Sequence, residues 1–139
     1  MDCIIICSGY YDPLHIGHLE YLKISKSYSN ELWVIVNNDE QAKLKKGGSF
    51  MNEDERIKIM TNIKGVDKVF ISIDKDRSVC ETLRFLVKSF PENTFIFANG
   101  GDIKDNRETK VCNELGIMML NDLGDKIQSS SWLTGIKEK

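Results

Sequence analysis

Five times along this chain a short, β-branched apolar run gives way to a segment with helical or turn chemistry. The runs are Cys3-Ile4-Ile5-Ile6-Cys7, Leu32 to Val36, Val69 to Ile73, Phe95-Ile96-Phe97-Ala98 and Ile117 to Leu120. Runs that are apolar throughout, rather than at every second residue, mark strands buried on both faces. Between them, Leu19, Leu22 and Ile24 recur with helical spacing from Ile16 to about Tyr28. Asn52 has N-cap chemistry, Glu53, Asp54 and Glu55 supply an acidic first turn, and Ile57, Met60 and Ile63 form the stripe that follows. Ser78 is expected to cap a helix carrying Val79, Leu83, Leu86 and Val87. A helix near Glu108 to Leu115 ends at Gly116, and Ser129 to Ile136 is expected to form a last short helix. The basic, glycine-bearing stretch Lys43 to Asn52 is expected to be loop. Strand then helix, repeated, implies an α/β fold: a doubly wound, five-stranded parallel sheet with helices on both faces and right-handed crossovers. A length of 139 residues suits one domain over 1–139.

Ligands of such a fold sit outside the carboxyl ends of the strands, near the point where strand order reverses. That rule selects residues 8–15, 37–48, 72–78 and 99–106, which hold both histidines, a lysine cluster and a Gly-Gly-Asp. The net charge is -2 and no polybasic tract is present, which argues against a nucleic-acid partner. No apolar run is long enough to span a bilayer, and the start Met-Asp-Cys lacks the basic opening of a secretory signal. The cysteines Cys3, Cys7, Cys80 and Cys112 show no Cys-x-x-Cys spacing, so a reduced, cytoplasmic protein is the simplest expectation. Cys3 and Cys7 share one strand face as small core residues.

Both histidines of the chain, His15 and His18, stand in one turn directly after the first strand. Three apart on a helix, they share a face. Gly17 between them lets a ligand approach the backbone, and the amides of the first turn, with the helix dipole, favour an anion. Two imidazoles beside such amides suit a polyphosphate. Other phosphate motifs fail: only Gly9 and Gly17 stand where Gly-x-Gly-x-x-Gly would be needed, and in Lys45-Lys46-Gly47-Gly48-Ser49 the lysines precede the glycines, the reverse of a Walker loop. A resident metal is not expected, because His-x-x-His supplies two ligands and no third stands at a matching spacing.

Gly9-Tyr10-Tyr11-Asp12-Pro13-Leu14-His15-Ile16-Gly17-His18 resembles the Gly-x-Phe-Asp-x-x-His-x-Gly-His signature of the cytidylyltransferase-like nucleotidyltransferases, with Tyr11 where phenylalanine is usual. The resemblance runs over almost the whole chain. Lys45 and Lys46 fall where the family has a phosphate-binding lysine, and Asp54-Glu55-Arg56 looks like its Glu-x-Arg helix start. Asn99-Gly100-Gly101-Asp102 resembles the Gly-Gly-Asp loop of heptose 1-phosphate adenylyltransferases, and Ser129-Ser130-Ser131 the late Ser-Thr-Thr that caps a helix over the nucleotide. Lys126 is the nearest base to the place where glycerol-3-phosphate cytidylyltransferases carry an arginine, and Asn99 replaces the lysine usual in the heptose enzymes; both differences bear on the acceptor.

The resemblance implies a Rossmann-like nucleotidyltransferase fold and transfer of a nucleoside monophosphate from ATP or CTP to a phosphorylated sugar or polyol. Pyrophosphate would be released, with Mg²⁺ as cofactor and a homodimer as the assembly. It assigns catalysis to His15, His18, Lys46 and Arg56, and nucleotide binding to Gly9, Tyr10, Tyr11, Gly17, Lys45, Ser129, Ser130 and Ser131. Substrate binding falls to Asp12, Asn99, Gly101 and Asp102. Simpler roles stand beside these. Lys45 and Lys46 also suit a solvated loop, Arg56 a pair with Glu53, Asp12 and Asn99 to Asp102 turns, and Ser129 to Ser131 an N-cap. Trp33 and Trp132 suit packing. The rival function is a nucleotide-binding regulatory module without turnover.

Overall fold

The apolar runs form the strands of one parallel sheet, seen in a computed structural model that describes residues 3–98 and 107–120. In chain order the elements are β1 (Cys3–Gly9), α1 (Ile16–Lys26), β2 (Glu31–Val36), α2 (Asp39–Lys46), α3 (Glu53–Thr61), β3 (Lys68–Ile71), α4 (Cys80–Ser89), β4 (Thr94–Ala98), α5 (Arg107–Leu115) and β5 (Met118–Leu120). The sheet order is β3-β2-β1-β4-β5 and every pairing is parallel. At its centre Ile6 lies opposite Trp33 on one side and Phe97 on the other. This is the doubly wound α/β fold that the alternation implies. The helix expected over Ser129 to Ile136, with Trp132, lies outside the described residues.

Alternate residues of each central strand enter separate cores, so the continuous apolar runs are explained by burial on both faces. Ile4, Ile6, Trp33, Ile35, Phe95 and Phe97 pack against α4 and α5 through Leu83, Leu86, Val111 and Cys112. Ile5, Cys7, Leu32, Val34, Val36 and Ile96 pack on the other face against α1 and α3 through Tyr21, Leu22 and Met60. Trp33 is a packing residue, 2% exposed and in edge or tilted contact with Phe70, Phe90 and Phe95. Cys3 packs against the same core that buries Cys7, and all four cysteines are free. Among the described residues no helix is long and apolar enough to cross a membrane.

Three expectations need correction. The stretch Lys43 to Asn52 is not all loop: Lys43 to Lys46 complete α2. Asn38 accepts the Gln41 amide at 2.8 Å, Gln41 answers on the Asn38 amide at 2.9 Å, and Gly47, with φ 86°, closes the far end. Only residues 47–52 connect α2 to α3. The third strand ends at Ile71 rather than Ile73, because the Ile73 amide donates to Thr82 Oγ1 instead of the ladder. Ser78 is not the N-cap of α4. Val79 holds that position, and the Asp74 carboxylate, reaching across from the preceding loop, accepts the amides of Glu81 and Thr82 at 2.8 and 2.9 Å. Asn52 does cap α3, accepting the Glu55 amide at 2.9 Å, and Gly116 follows α5 with φ 76°.

Candidate active site

The chain leaves β1 for β2 and β3 in one direction, then crosses to β4 and β5 in the other. Strand order therefore reverses beside the carboxyl end of β1, where an open parallel sheet forms its ligand crevice. The turn that follows β1 carries both histidines. Tyr11, at φ 51°, starts it, and a Tyr11 to Pro13 kink leads to His15, the N-cap of α1. A Cβ on Gly9 would stand 2.9 Å from the Tyr11 ring, so glycine is what lets that ring fold back over the strand end. Tyr11 is 3% exposed and makes a T-shaped ring contact with His18, centroids 4.9 Å apart. Among the described residues its hydroxyl is buried without a partner, a cost of about 1–3 kcal/mol. Expected to touch nucleotide, Tyr11 instead lies beneath the turn as support.

The histidines cap their own helix. His15 Nδ1 accepts the Gly17 amide and His18 Nδ1 accepts the His15 amide, each at 3.1 Å, while the His15 carbonyl takes the amides of His18 and Leu19. The amides expected to be open for an anion at positions 17 and 18 are thus already engaged. The rings stack with centroids 3.8 Å apart and an interplanar angle of 23°. A Cβ on Gly17 would come within 3.0 Å of the His15 ring, which is the local need for glycine there. With Nδ1 accepting on both rings, each neutral imidazole carries its proton on Nε2, the nitrogen left to donate outward. The His18 pKa falls from 6.5 to about 4, first through burial and then through repulsion by His15.

The lysines arrive from the end of α2. Lys46 Nζ lies 2.7 Å from Asp12 Oδ2 and 3.1 Å from the Asp12 carbonyl. Lys45 Nζ stands 4.5 Å from the centre of the Tyr10 ring, whose hydroxyl reaches the Gln41 carbonyl at 3.5 Å. Lys46 is thereby tied to Asp12 and Lys45 to Tyr10, both in the turn that leads to His15 and His18.

Two site assignments change. Asp12 was expected to bind substrate, but its side chain is 0% exposed and both oxygens are occupied by Lys46 and by the amides of Phe50 and Met51. Burial alone would raise its pKa; the Lys46 and backbone contacts outweigh this and hold it below the ordinary carboxylate value. Arg56 was expected to anchor phosphate, or else to pair with Glu53. It does neither, being 1% exposed. Its guanidinium donates to the carbonyls of Met51, Tyr10 and Asn37 at 2.7 to 2.8 Å and to Asp39 Oδ1 at 2.7 Å. A planar donor fork, always charged, suits this joining of two strand ends to two helix starts. Sequence reasoning missed Asp39, Asn38 and Gln41, whose polar side chains hold this rim together; the Asn-Asp-Glu-Gln run after β2 was the available signal. Asn99, Gly101, Asp102, Ser129, Ser130 and Ser131 lie outside the described residues. Among the described residues no three His, Cys, Asp or Glu converge as a metal cage.

A doubly wound sheet whose reversal point holds a histidine-capped helix and a converging pair of lysines is the frame of a nucleotidyltransferase. This chain belongs to the cytidylyltransferase-like family, whose profile matches residues 6–123. FAD synthase of Methanocorpusculum labreanum is 36% identical over 72 residues, covering 52% of this chain and 51% of that protein. Bifunctional protein HldE of Desulfatibacillum aliphaticivorans is 30% identical over 128 residues, covering 88% of this chain and 24% of that protein. The crystal structure of the lipopolysaccharide core biosynthesis protein from Thermoplasma volcanium superposes with a TM-score of 0.67 at 28% identity, over 86% of this chain and 93% of that one. The chain spans about half the length of the FAD synthases it matches and about a quarter of HldE.

Proposed function

We propose that this protein transfers a nucleoside monophosphate from a nucleoside triphosphate to a phosphorylated small molecule, releasing pyrophosphate. The observation that carries the reading is the self-capped histidine turn at the reversal point, with both Nδ1 atoms engaged and Lys46 bound to Asp12 of the same turn. An acceptor phosphate is already an anionic nucleophile, so the site has to supply alignment and positive charge more than a strong base. An acceptor oxygen attacks the α-phosphorus, the new O–P bond forms, the bond to the bridging oxygen breaks, and that oxygen leaves with pyrophosphate. His15 and His18 donate to the α- and β-phosphate oxygens. Lys46 and Lys45 neutralise charge from the side, with Ser129, Ser130 and Ser131 as further hydroxyl donors and Asn99, Gly101 and Asp102 toward the acceptor. The described residues offer no cage for a resident metal, so Mg²⁺ is proposed to accompany the triphosphate, held by phosphate oxygens and water.

ATP is the favoured donor and a sugar or polyol phosphate of the heptose 1-phosphate kind the favoured acceptor, supported by the Gly-Gly-Asp sequence and the likeness to HldE over 88% of the chain. A flavin phosphate acceptor is the second reading, supported by FAD synthases 36 to 38% identical over half the chain. A homodimer in the cytoplasm completes the proposal; free cysteines are compatible with that compartment. The test is pyrophosphate release from ATP, CTP, GTP and UTP with hexose and heptose 1-phosphates, glycerol 3-phosphate and flavin mononucleotide. Turnover should appear with one pair, and His18→Ala should lower it by about 10²–10³. Tight nucleotide binding with no release across the panel would favour the regulatory module instead.

A further inference from the structure

One acidic residue of the histidine turn is spent entirely on the connection between α2 and α3. The Asp12 side chain is 0% exposed, yet it is bound by three donors from a six-residue span. Lys46 Nζ lies 2.7 Å from Oδ2, the Phe50 amide donates to Oδ2 at 2.8 Å, and the Met51 amide donates to Oδ1 at 2.6 Å. The Asp12 carbonyl takes a second hydrogen bond from Lys46 Nζ at 3.1 Å. The same span is fixed from its other side. Ser49 donates to Asp39 Oδ1 at 2.9 Å, and Arg56 Nε donates to the Met51 carbonyl at 2.8 Å. Residues 47–51 thus form a strap pinned across the turn, with Phe50 projecting from it, 78% exposed.

We propose that Asp12 is a positioning residue whose buried carboxylate latches this strap and Lys46 to the histidine turn. The inference rests on the reading of that turn as a nucleotide site. Lys46 keeps 36% of its side chain exposed, so its ammonium faces Asp12 on one side and the solvent on the other. Two of its three N–H groups go to Asp12, and the third is the one a phosphate oxygen takes. A lysine on a four-carbon stem ahead of two glycines is otherwise free to sample many positions. Fixed by Asp12, it meets the phosphate already aligned, which is where an intramolecular arrangement gains rate over a loose charge. Asparagine at position 12 would retain one acceptor oxygen but lose the charge, and would set its amide group against another donor.

Chymotryptic cleavage after Phe50, followed by mass spectrometry, reports the latch without any reaction. Asp12→Asn should speed that cleavage by about tenfold while the protein remains folded by circular dichroism. In the unmodified protein the Phe50 and Met51 amides should exchange with deuterium far more slowly than an open chain. With ATP and the active acceptor, Asp12→Asn should lower kcat/KM by about tenfold beside Lys46 but by less than about twofold in a Lys46→Met background, because Asp12 acts through Lys46. Equal losses in both backgrounds, unchanged cleavage in a folded Asp12→Asn, or open-chain exchange at both amides would each overturn the latch. Exchange in the unmodified protein decides the question even where Asp12→Asn fails to fold. Absence of pyrophosphate release would overturn the transferase reading alone, since cleavage and exchange do not depend on it.

Discussion

His18 has its charge state written into its contacts. Its Nδ1 accepts the His15 amide, its ring lies on His15, and the Tyr11 ring meets it in a T-shaped contact. Adding a proton would place it on Nδ1, against an N–H donor, beside a second imidazole and in a half-buried setting. Each factor favours the neutral ring, in line with a pKa of about 4 against the ordinary 6.5. The fold therefore gains stability from neutral His18 above the ordinary value and loses it as pH falls from about 6.5 toward 4. Thermal melts between these limits should show a falling Tm in the unmodified protein and a flatter profile in His18→Asn. Parallel profiles would remove His18 as the cause. The carboxylates Asp12, Asp39 and Asp67 are held below their ordinary values, so they lose their pairs only at the acidic end of that window or beyond it. The sequence disclosed where the two histidines stand. It did not disclose that they cap each other, because that depends on the Tyr11 conformation and on Gly17 admitting the His15 ring.

At the level of elements, the strands were legible and the polar helix was not. Continuous apolar runs report burial on both faces, and they located all five strands to within a few residues. α2 carries only Ala42 and Leu44 as apolar residues, one buried and one exposed, so hydrophobic periodicity had little to register. What forms it is end chemistry: the Asn38 cap, acidic residues first, lysines last and Gly47 after them. The same weakness hid the role of Arg56, since a helix-start arginine gives no sign in sequence of whether it faces solvent or the interior. Its four acceptors come from the residues just past β1 and β2, from α2 and from the strap, so no one element accounts for its burial. Arg56→Ala would leave three carbonyls and the Asp39 carboxylate without that donor. It should destabilise the fold by about 3–5 kcal/mol in urea denaturation. Arg56→Lys should recover only part of this, because an ammonium cannot reproduce the fork. A loss below about 1 kcal/mol would mean that water replaces the guanidinium at little cost.

The whole molecule separates its two tasks across the sheet. The core under α4 and α5 holds no residue of the histidine turn, whereas the core on the opposite face, under α1 and α3, includes Tyr11 and borders Leu14 of that turn. That separation makes ligand binding measurable through global stability, since a ligand of the folded state alone raises it by mass action. ATP with Mg²⁺ at a hundredfold excess over its dissociation constant should add about 2.7 kcal/mol, an increase in Tm on the order of 10 °C. Leu83, fully buried in the α4 core, supplies the control. Leu83→Ala should cost about 2–5 kcal/mol through the cavity it leaves. It belongs to a core cluster with no residue of the histidine turn, so its effect and that of nucleotide should add. The ATP increment should therefore survive intact in Leu83→Ala and shrink in Lys46→Met, which removes a charge from the rim but nothing from either core. If Leu83→Ala abolished the increment while Lys46→Met kept it, the nucleotide would have to bind against the α4 face, and the division of labour across the sheet would be the reverse of the one argued from strand order.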